Sequence, residues 1–463
     1  MHWCGRRPRP SVERMTWAGH LPASREYRRI LVGLGAAGIA TFAQLYSPQG
    51  LLPTLARGLQ VSPADAALSV SLATLGVAVA VLPWSWVADR VGRLRAMQVA
   101  IVASTVLGVA VALAPGIEAL LVLRLVEGMA LGGLPALAVT YLHDEVHARH
   151  TAAAAAAYIS GTTIGGAAGR LIAGPLAGVV GWRPALLTVA AVCAAASVVF
   201  LRLMPRPRGY RPTTAATART VADGIRTSLR DPALLALYAQ GALLMGGFVG
   251  VYNYLAFRLE GPEFALPATV GSLIFAAYAA GTVSSRLTGR WVPRLGRRCV
   301  LVGGTVTMVG GALRTLSGAL PVVVVGLLVL TAGFFAAHAT ASAWVGARAT
   351  TGRAQATALY NVAYYSGSAL VGWLLGYAWS GRGWAAVVCA VVVLAVAALA
   401  LAVTVLPGRS PARSTGRATG PTSGPTSGPT SGPERIGTGV TASPEARTVH
   451  AVPHERRSGE GTT

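Results

Sequence analysis

Long apolar stretches recur along this chain, and they restrict its fold more than any other feature. About twelve of them occur, over 30–46, 66–88, 97–113, 117–142, 155–180, 184–204, 233–257, 268–287, 299–316, 320–345, 354–379 and 384–406, each closed by a turn or by charge. A helix of about 20 apolar residues crosses the ~30 Å hydrocarbon core of a bilayer. Over the whole chain 53% of residues are hydrophobic and 12% charged, whereas soluble domains carry roughly a quarter charged. The chain is therefore expected to be an all-α integral membrane protein with the lipid bilayer as its solvent.

The charge that remains is one-sided: 39 basic residues against 16 acidic ones, a formal +23, and every basic residue is an arginine. These arginines sit in loops and tails rather than along one continuous face, which argues against nucleic acid as a partner. Their distribution alternates. One set of loops holds Arg25, Arg28 and Arg29; Arg90, Arg93 and Arg95; Arg202, Arg206, Arg208 and Arg211; Arg294, Arg297 and Arg298; and Arg348 and Arg353. The opposite set holds only isolated ones, Arg57, Arg183, Arg258 and Arg382. Because basic loops stay in the cytoplasm, both termini are expected there, with an even number of spans.

This pattern divides the chain into a cytoplasmic N-terminal tail (1–29), six spans (30–204), a cytoplasmic linker (205–232), six more spans (233–406) and a C-terminal tail (407–463). Residues 220–230 of the linker suit either a short amphipathic helix on the membrane surface or a solvated loop. The tail repeats Gly-Pro-Thr-Ser over 420–433 and is too poor in apolar residues to fold. No secretory signal peptide is legible, and Met15 is a plausible start. Cys4, Cys193, Cys299 and Cys389 are too scattered for a disulfide framework or a metal site.

Between the second and third spans lies Trp86-Val87-Ala88-Asp89-Arg90-Val91-Gly92-Arg93-Leu94-Arg95, and a degraded echo, Trp291-Val292-Pro293-Arg294-Leu295-Gly296-Arg297-Arg298, follows the eighth span. The echo points to a duplicated architecture. Gly92 permits a tight turn, while Asp89 is placed to pair with arginines of its own loop or with a neighbouring helix. Asp89, Arg90, Gly92 and Arg93 are thus candidates for a gating loop; a hairpin that only fixes orientation is the alternative. In the echo Pro293 stands opposite Asp89, so charge pairing is expected in the N-terminal half alone.

Ser85 to Arg95 resembles the signature Gly-x-x-x-Asp-Arg-x-Gly-Arg-Arg of the major facilitator superfamily, with Ser85 at the first glycine. Arg124-Leu125-Val126-Glu127-Gly128 resembles its fourth-helix motif Arg-x-x-Gln-Gly, with Glu127 where glutamine is usual. The glycine-rich run from Gly165 through Gly174-Pro175 to Gly181 is similar to the fifth helix of its export branches. Residues 35–53, with Phe42, Tyr46 and Gln49, and 333–346 resemble the arabinose-efflux-permease-like, acriflavine-sensitivity-type branch of drug:proton antiporters. Gly50 stands where that branch has proline, which leaves the kink of the first helix open. The resemblance implies twelve transmembrane helices in two pseudo-symmetric six-helix bundles, transport in place of catalysis, a small-molecule substrate, no cofactor, a proton gradient as the driving force, and a monomer.

Ionisable groups inside a membrane are functional candidates by default, and of the 16 acids only Glu127 falls deep within a span. It lies about ten residues, or ~15 Å, from the outer end of its helix. Arg170 on the next, antiparallel helix lies at the same depth, so the two are expected to pair. Arg124, one turn from Glu127, would complete a buried cluster. Such a carboxylate either exchanges a proton for substrate or serves as a structural ion pair. His338 in the tenth span is a candidate proton relay, or else a hydrogen-bonded packing residue.

Asn361, Tyr364, Tyr365 and Ser368 share one helical face, and with Gln44, Tyr252 and Asn253 they form the expected cavity lining. For Tyr252 interfacial anchoring is the competing assignment. No phosphate loop, metal cluster or nucleophilic triad is present, so an enzyme is not expected. The expected function is proton-coupled export of a small organic molecule from a bacterial cell. Alternatives are a sugar or organic-ion facilitator or importer, and a transporter-like receptor that no longer transports. Substrate charge stays open, since the buried acid suits a cation and the flanking arginines an anion.

Overall fold

The computed structural model describes residues 17–210 and 215–407, without the side chains of 215–220. Cys4, Met15, Arg211 and the Gly-Pro-Thr-Ser repeats lie outside them. Helix α1 (Arg25–Tyr46) starts where the Ser24 hydroxyl accepts the Tyr27 N–H at 3.2 Å, and it ends at a 3-10 turn, Ser47–Leu51. The first span then continues as α2 (Leu52–Leu59). Helix α3 (Pro63–Val91) is set by Ser62 at its cap, Pro63 in its first turn and Asp65 two residues later, a favoured order for a helix start.

Next come α4 (Arg93–Ala112), α5 (Ile117–Leu131), α6 (Gly133–Glu145), α7 (Thr151–Val180) and α8 (Trp182–Leu203). The linker contains α9 (Ala215–Arg230), so of the two possibilities for that stretch the helix is observed. Helix α10 (Pro232–Glu260) is capped by Asp231, whose carboxylate accepts the Ala233 N–H at 2.9 Å. The short α11 (Ala268–Gly271) passes through a 3-10 turn into α12 (Tyr278–Leu295), followed by α13 (Arg297–Arg314), α14 (Leu320–Arg348) and α15 (Arg353–Thr404).

Among the described residues ten helical passages are long and apolar enough to cross a membrane. The last of them, 52 residues long, breaks at Gly383, whose φ of 70° and ψ of −157° are not helical. Helix α13 falls outside the ten because its 18 residues begin with Arg297 and Arg298 and end with Arg314. The expected number of twelve is reached by counting α13 and by dividing α15 at Gly383.

Duplication is visible in the backbone. Gly92 (φ 93°, ψ 143°) joins α3 to α4, and Gly296 (φ 84°, ψ 154°) joins α12 to α13, so the two loops of the sequence echo adopt one geometry. An L side chain is strained at such φ values, which is why the glycine survives in the echo although Asp89 does not. Gly181 and Gly383 make matching turns at the opposite end.

The apolar core follows the same division. One cluster draws on Tyr27 to Phe200 and another on Ala233 to Leu406 with Ala67 added. A third, containing Leu45, Tyr46, Val70, Val77 and Tyr365, lies on the seam between the halves. Consecutive passages alternate in direction, so Arg25, Gly92, Gly296 and Thr404 share one end, here the near end. Gly181, Gly383 and the α10–α11 loop share the other, the far end.

Contacts between the halves run through α3 with α15, α7 with α11 and its 3-10 turn, and α2 with α10. At the far end Arg57 Nη1 of α2 meets Glu260 Oε2 of α10 at 2.8 Å across the two halves. Toward the near end the central residues Phe42, Tyr278, Phe335, His338, Asn361 and Tyr364 are each partly exposed. The halves are therefore sealed together at the far end, with a partly open aromatic surface toward the near end.

Candidate functional site

Glu127 on α5 is fully buried, and both of its oxygens are held. Arg124, three residues earlier on the same helical face, reaches Oε2 with Nη1 at 2.5 Å, and Gln44 on α1 donates to Oε1 at 2.5 Å. Gln44 is thus part of the charged cluster and not of a cavity lining; its amide also donates to the Ser104 carbonyl on α4. The Arg124 guanidinium binds three carbonyls besides: Ser69 on α3 at 2.8 Å, Gln44 at 3.3 Å and Leu45 at 2.5 Å. One buried ion pair therefore fastens α5 to the end of α1 and to the second turn of α3.

Arg170 does not join this cluster, contrary to the expected pairing with Glu127. Its Nε donates to Gln49 Oε1 at 2.7 Å and its Nη1 to the Gly166 carbonyl at 2.6 Å. The guanidinium carbon lies 4.1, 4.6 and 5.4 Å from the ring centroids of Tyr46, Tyr278 and Phe275. Equal depth placed Arg170 and Glu127 at one level, but Arg170 faces the seam, and Arg124 already supplies the carboxylate's partner from within its own helix.

Gln49, which carries part of the resemblance to the export branch but was not among the expected cavity or charge-cluster residues, links the halves. It accepts from Arg170 and donates to Asn253 Oδ1 on α10 at 2.7 Å. The two amides are 204 residues apart, the same interval that separates Gly92 from Gly296, so they are repeat partners meeting on the pseudo-symmetry axis. Gly50 explains how Arg170 comes so close: a Cβ there would lie 2.5 Å from the Arg170 carbonyl oxygen and 3.0 Å from its Cα. The chain keeps glycine where the export branch has proline because α7 crosses against the turn at this point.

The C-terminal half presents aromatic groups. His338 on α14 is 2.9 Å from the Tyr360 hydroxyl, stacks on Phe334 and packs at a tilt against Tyr364, so it is brought together with neither Glu127 nor Arg170. Tyr252 is fully buried, with its hydroxyl 2.7 Å from that of Thr331, and is a core residue instead of an interfacial anchor. The proposed polar face of α15 divides. Asn361 and Tyr364 are partly exposed, Tyr365 is buried on the seam, and Ser368 is fully buried with no hydrogen-bond partner for its hydroxyl among the described residues.

The near-end loop is held inside its own half. Arg93 forms an ion pair with Asp144 at the end of α6, the Tyr210 hydroxyl donates to the Asp89 carbonyl at 2.8 Å, and Arg90 lies 3.4 Å over the Trp86 ring. Buried Glu145, another residue not singled out in the sequence, accepts the Arg208 and Gly209 N–H groups at the start of the linker. At the far end Arg258 grips Glu263 through Nε at 2.7 Å and Nη2 at 2.5 Å, which holds the Glu263 carboxyl below its usual range.

A polytopic helical bundle with a buried ion pair and a buried arginine on the seam between two repeated halves has the make-up of a membrane transporter. The chain belongs to the Major Facilitator Superfamily, whose family model matches residues 33–371. It is 38% identical over 362 residues to the inner membrane transport protein YnfM of Escherichia coli (strain K12), covering 78% of this chain and 87% of that protein. It is 36% identical over 362 residues to the uncharacterized MFS-type transporter YybF of Bacillus subtilis (strain 168), covering 78% and 89%. In fold it is similar to a bacterial homolog of the human lysosomal transporter Spinster, crystallised in an inward-facing, unoccupied conformation. The TM-score is 0.67 at 16% identity, over 85% of this chain and 100% of that one. The protein is thus a multi-pass membrane transporter of a small molecule, and not an enzyme.

Proposed function

We propose that the protein is a proton-coupled exporter of a small organic molecule at the bacterial cytoplasmic membrane, of the drug:proton antiporter kind, with its near end and both termini in the cytoplasm. Arginine clustering in the near-end loops supports the orientation, and the relative in Escherichia coli is an inner membrane protein by name. One observation carries the coupling: Glu127 is the carboxylate of a fully buried pair whose guanidinium also holds the carbonyls of Ser69 and Leu45. Protonation of Glu127 removes the charge opposing Arg124, and Arg124 then loosens its hold on α1 and α3. Helix α3 is one of the elements packed on α15 across the seam. A proton taken up at Glu127 thus acts on the contact that must part when the halves rock about a central site.

Reconstituted protein in vesicles tests this reading. With a pH gradient imposed, a transported solute from a panel of small organic compounds is expected to accumulate against its own gradient and to stop when an ionophore dissipates the pH difference. Counterflow of equal size with and without the pH gradient would make the protein a facilitator and overturn the proposal.

A further inference from the structure

Each of the other deeply buried arginines has an acid. Arg124 holds Glu127 and Arg258 holds Glu263. Arg170 is 2% exposed, and among the described residues no carboxylate lies within ion-pair distance of it. Both of its hydrogen-bond acceptors, the Gln49 side chain and the Gly166 carbonyl, are neutral. An unneutralised charge in a membrane interior is costly and is retained where it meets a substrate or an ion. We propose that Arg170 is the recognition residue for the carboxylate of an organic anion, whose apolar body lies against Tyr278, Phe335 and Tyr364. This rests on the reading of the seam as the transport site.

Three features of the geometry support it. First, the guanidinium is held flat among ring faces contributed by both halves: Tyr46 from α1, and Phe275 and Tyr278 from the segment leading into α12. The negative ring faces compensate a cation in part, which keeps Arg170 in place while no anion is bound. A guanidinium also offers a planar fork of N–H donors that matches a carboxylate in bidentate fashion.

Second, the site does not serve a cation. Glu127, the acid a cation would seek, has Oε1 occupied by Gln44 and Oε2 by Arg124, and it is fully buried. Third, the rings that continue from Arg170 toward the near end are partly exposed: Tyr278, Phe335 and Tyr364. Tyr278 packs edge-on against Phe335 at 5.9 Å between centroids, which gives a planar or apolar body a surface of ring faces and edges.

Arrival of a carboxylate bears directly on the seam. The substrate oxygen replaces Gln49 Oε1 at Arg170, and Gln49 is the residue that donates across to Asn253. The Asn253 side chain is fully buried, and among the described residues its own amide nitrogen has no hydrogen-bond partner. That donor is left to take up the displaced Gln49 carbonyl or a second polar group of the substrate. Binding therefore rearranges the amide bridge between the halves instead of merely filling a space.

The test is a set of matched probes on the purified full-length protein in detergent, with no membrane and no gradient: benzoate, benzamide and benzamidine, with the same three head groups on naphthyl and hexyl bodies. Thermal stabilisation is read against concentration. At least one carboxylate is expected to raise the Tm, while its amide and amidine counterparts do so about tenfold more weakly or not at all. Arg170→Gln is expected to abolish that preference, and Arg170→Lys to retain part of it. The order among the three head groups is measured on the unaltered protein, so the outcome does not depend on whether a variant folds. Stabilisation by none of the carboxylates, equal or stronger stabilisation by amides or amidines, or an unchanged carboxylate response in Arg170→Gln would each overturn the proposal. Because binding is measured without a gradient, failure of proton-coupled export leaves this result standing, and export of neutral or cationic solutes alone would overturn only the anion assignment.

Discussion

The two halves of the molecule share a backbone plan and bury different chemistry at equivalent points. Gln49 and Asn253 are repeat partners, and the interval between them carries Glu127 onto Thr331. In the N-terminal half that position is a carboxylate locked to a guanidinium at 2.5 Å; in the C-terminal half it is a hydroxyl 2.7 Å from the Tyr252 hydroxyl. Both satisfy their polar atoms. Only the first contains an acid, and its partner also holds backbone carbonyls of α1 and α3. Duplication thus supplied two equivalent frames, of which one carries charge and the other an aromatic surface that includes His338, Tyr360 and Tyr364.

The largest expected consequence of this difference is in stability. Arg124→Ala leaves Glu127 buried with only Gln44 and releases the carbonyls of Ser69 and Leu45; loss of one member of a buried pair costs about 3 kcal/mol or more. The equivalent loss in the other half, Tyr252→Phe, removes one neutral interhelical hydrogen bond, worth about 0.6 kcal/mol in membrane proteins. Thermal unfolding in detergent should rank them in that order by a wide margin. Equal losses would mean that the charged pair is no more than another packing contact.

The smallest effect is expected outside the membrane. The Arg258 hydrogen bonds hold the Glu263 carboxyl below its ordinary value of 4.5, so the contact is fully present above that pH and is lost as pH falls through the lowered folded-state value. Glu263 lies on the exposed rim, so solvent screening keeps its contribution small. Glu263→Gln should lower the Tm slightly at neutral pH, and the difference from the unaltered protein should shrink steadily as the pH drops below 4.5. A difference that persisted or grew in acid would show that the carboxylate is not the stabilising species.

Much of this architecture was legible in the sequence, because a bilayer leaves few ways to bury apolar runs and because Gly92 and Gly296 mark the repeat whatever their flanking residues do. Pairing of Arg124 with Glu127 was legible for a similar reason: three residues on one helix fix both depth and direction. Arg170 was given the wrong partner, since the rise along a helix says nothing about which neighbour a side chain faces. The role of Gln49, noted only as part of the branch resemblance, was hidden by its setting. Flanked by Pro48 and Gly50 it reads as loop, and its importance arises only when α7 and α10 converge on it from distant parts of the chain. Gln44 looked like a cavity residue because a polar side chain in a span implies a polar neighbour without saying which.

The difference between the halves is tested most directly by comparing Glu127→Gln with His338→Ala in vesicles that contain a pH-sensitive dye, following solute-driven proton movement. If the charge-changing group is the carboxylate of the N-terminal half, proton movement disappears in Glu127→Gln and continues in His338→Ala. Proton movement that survives in Glu127→Gln and is lost in His338→Ala would contradict this and assign the coupling to the aromatic half.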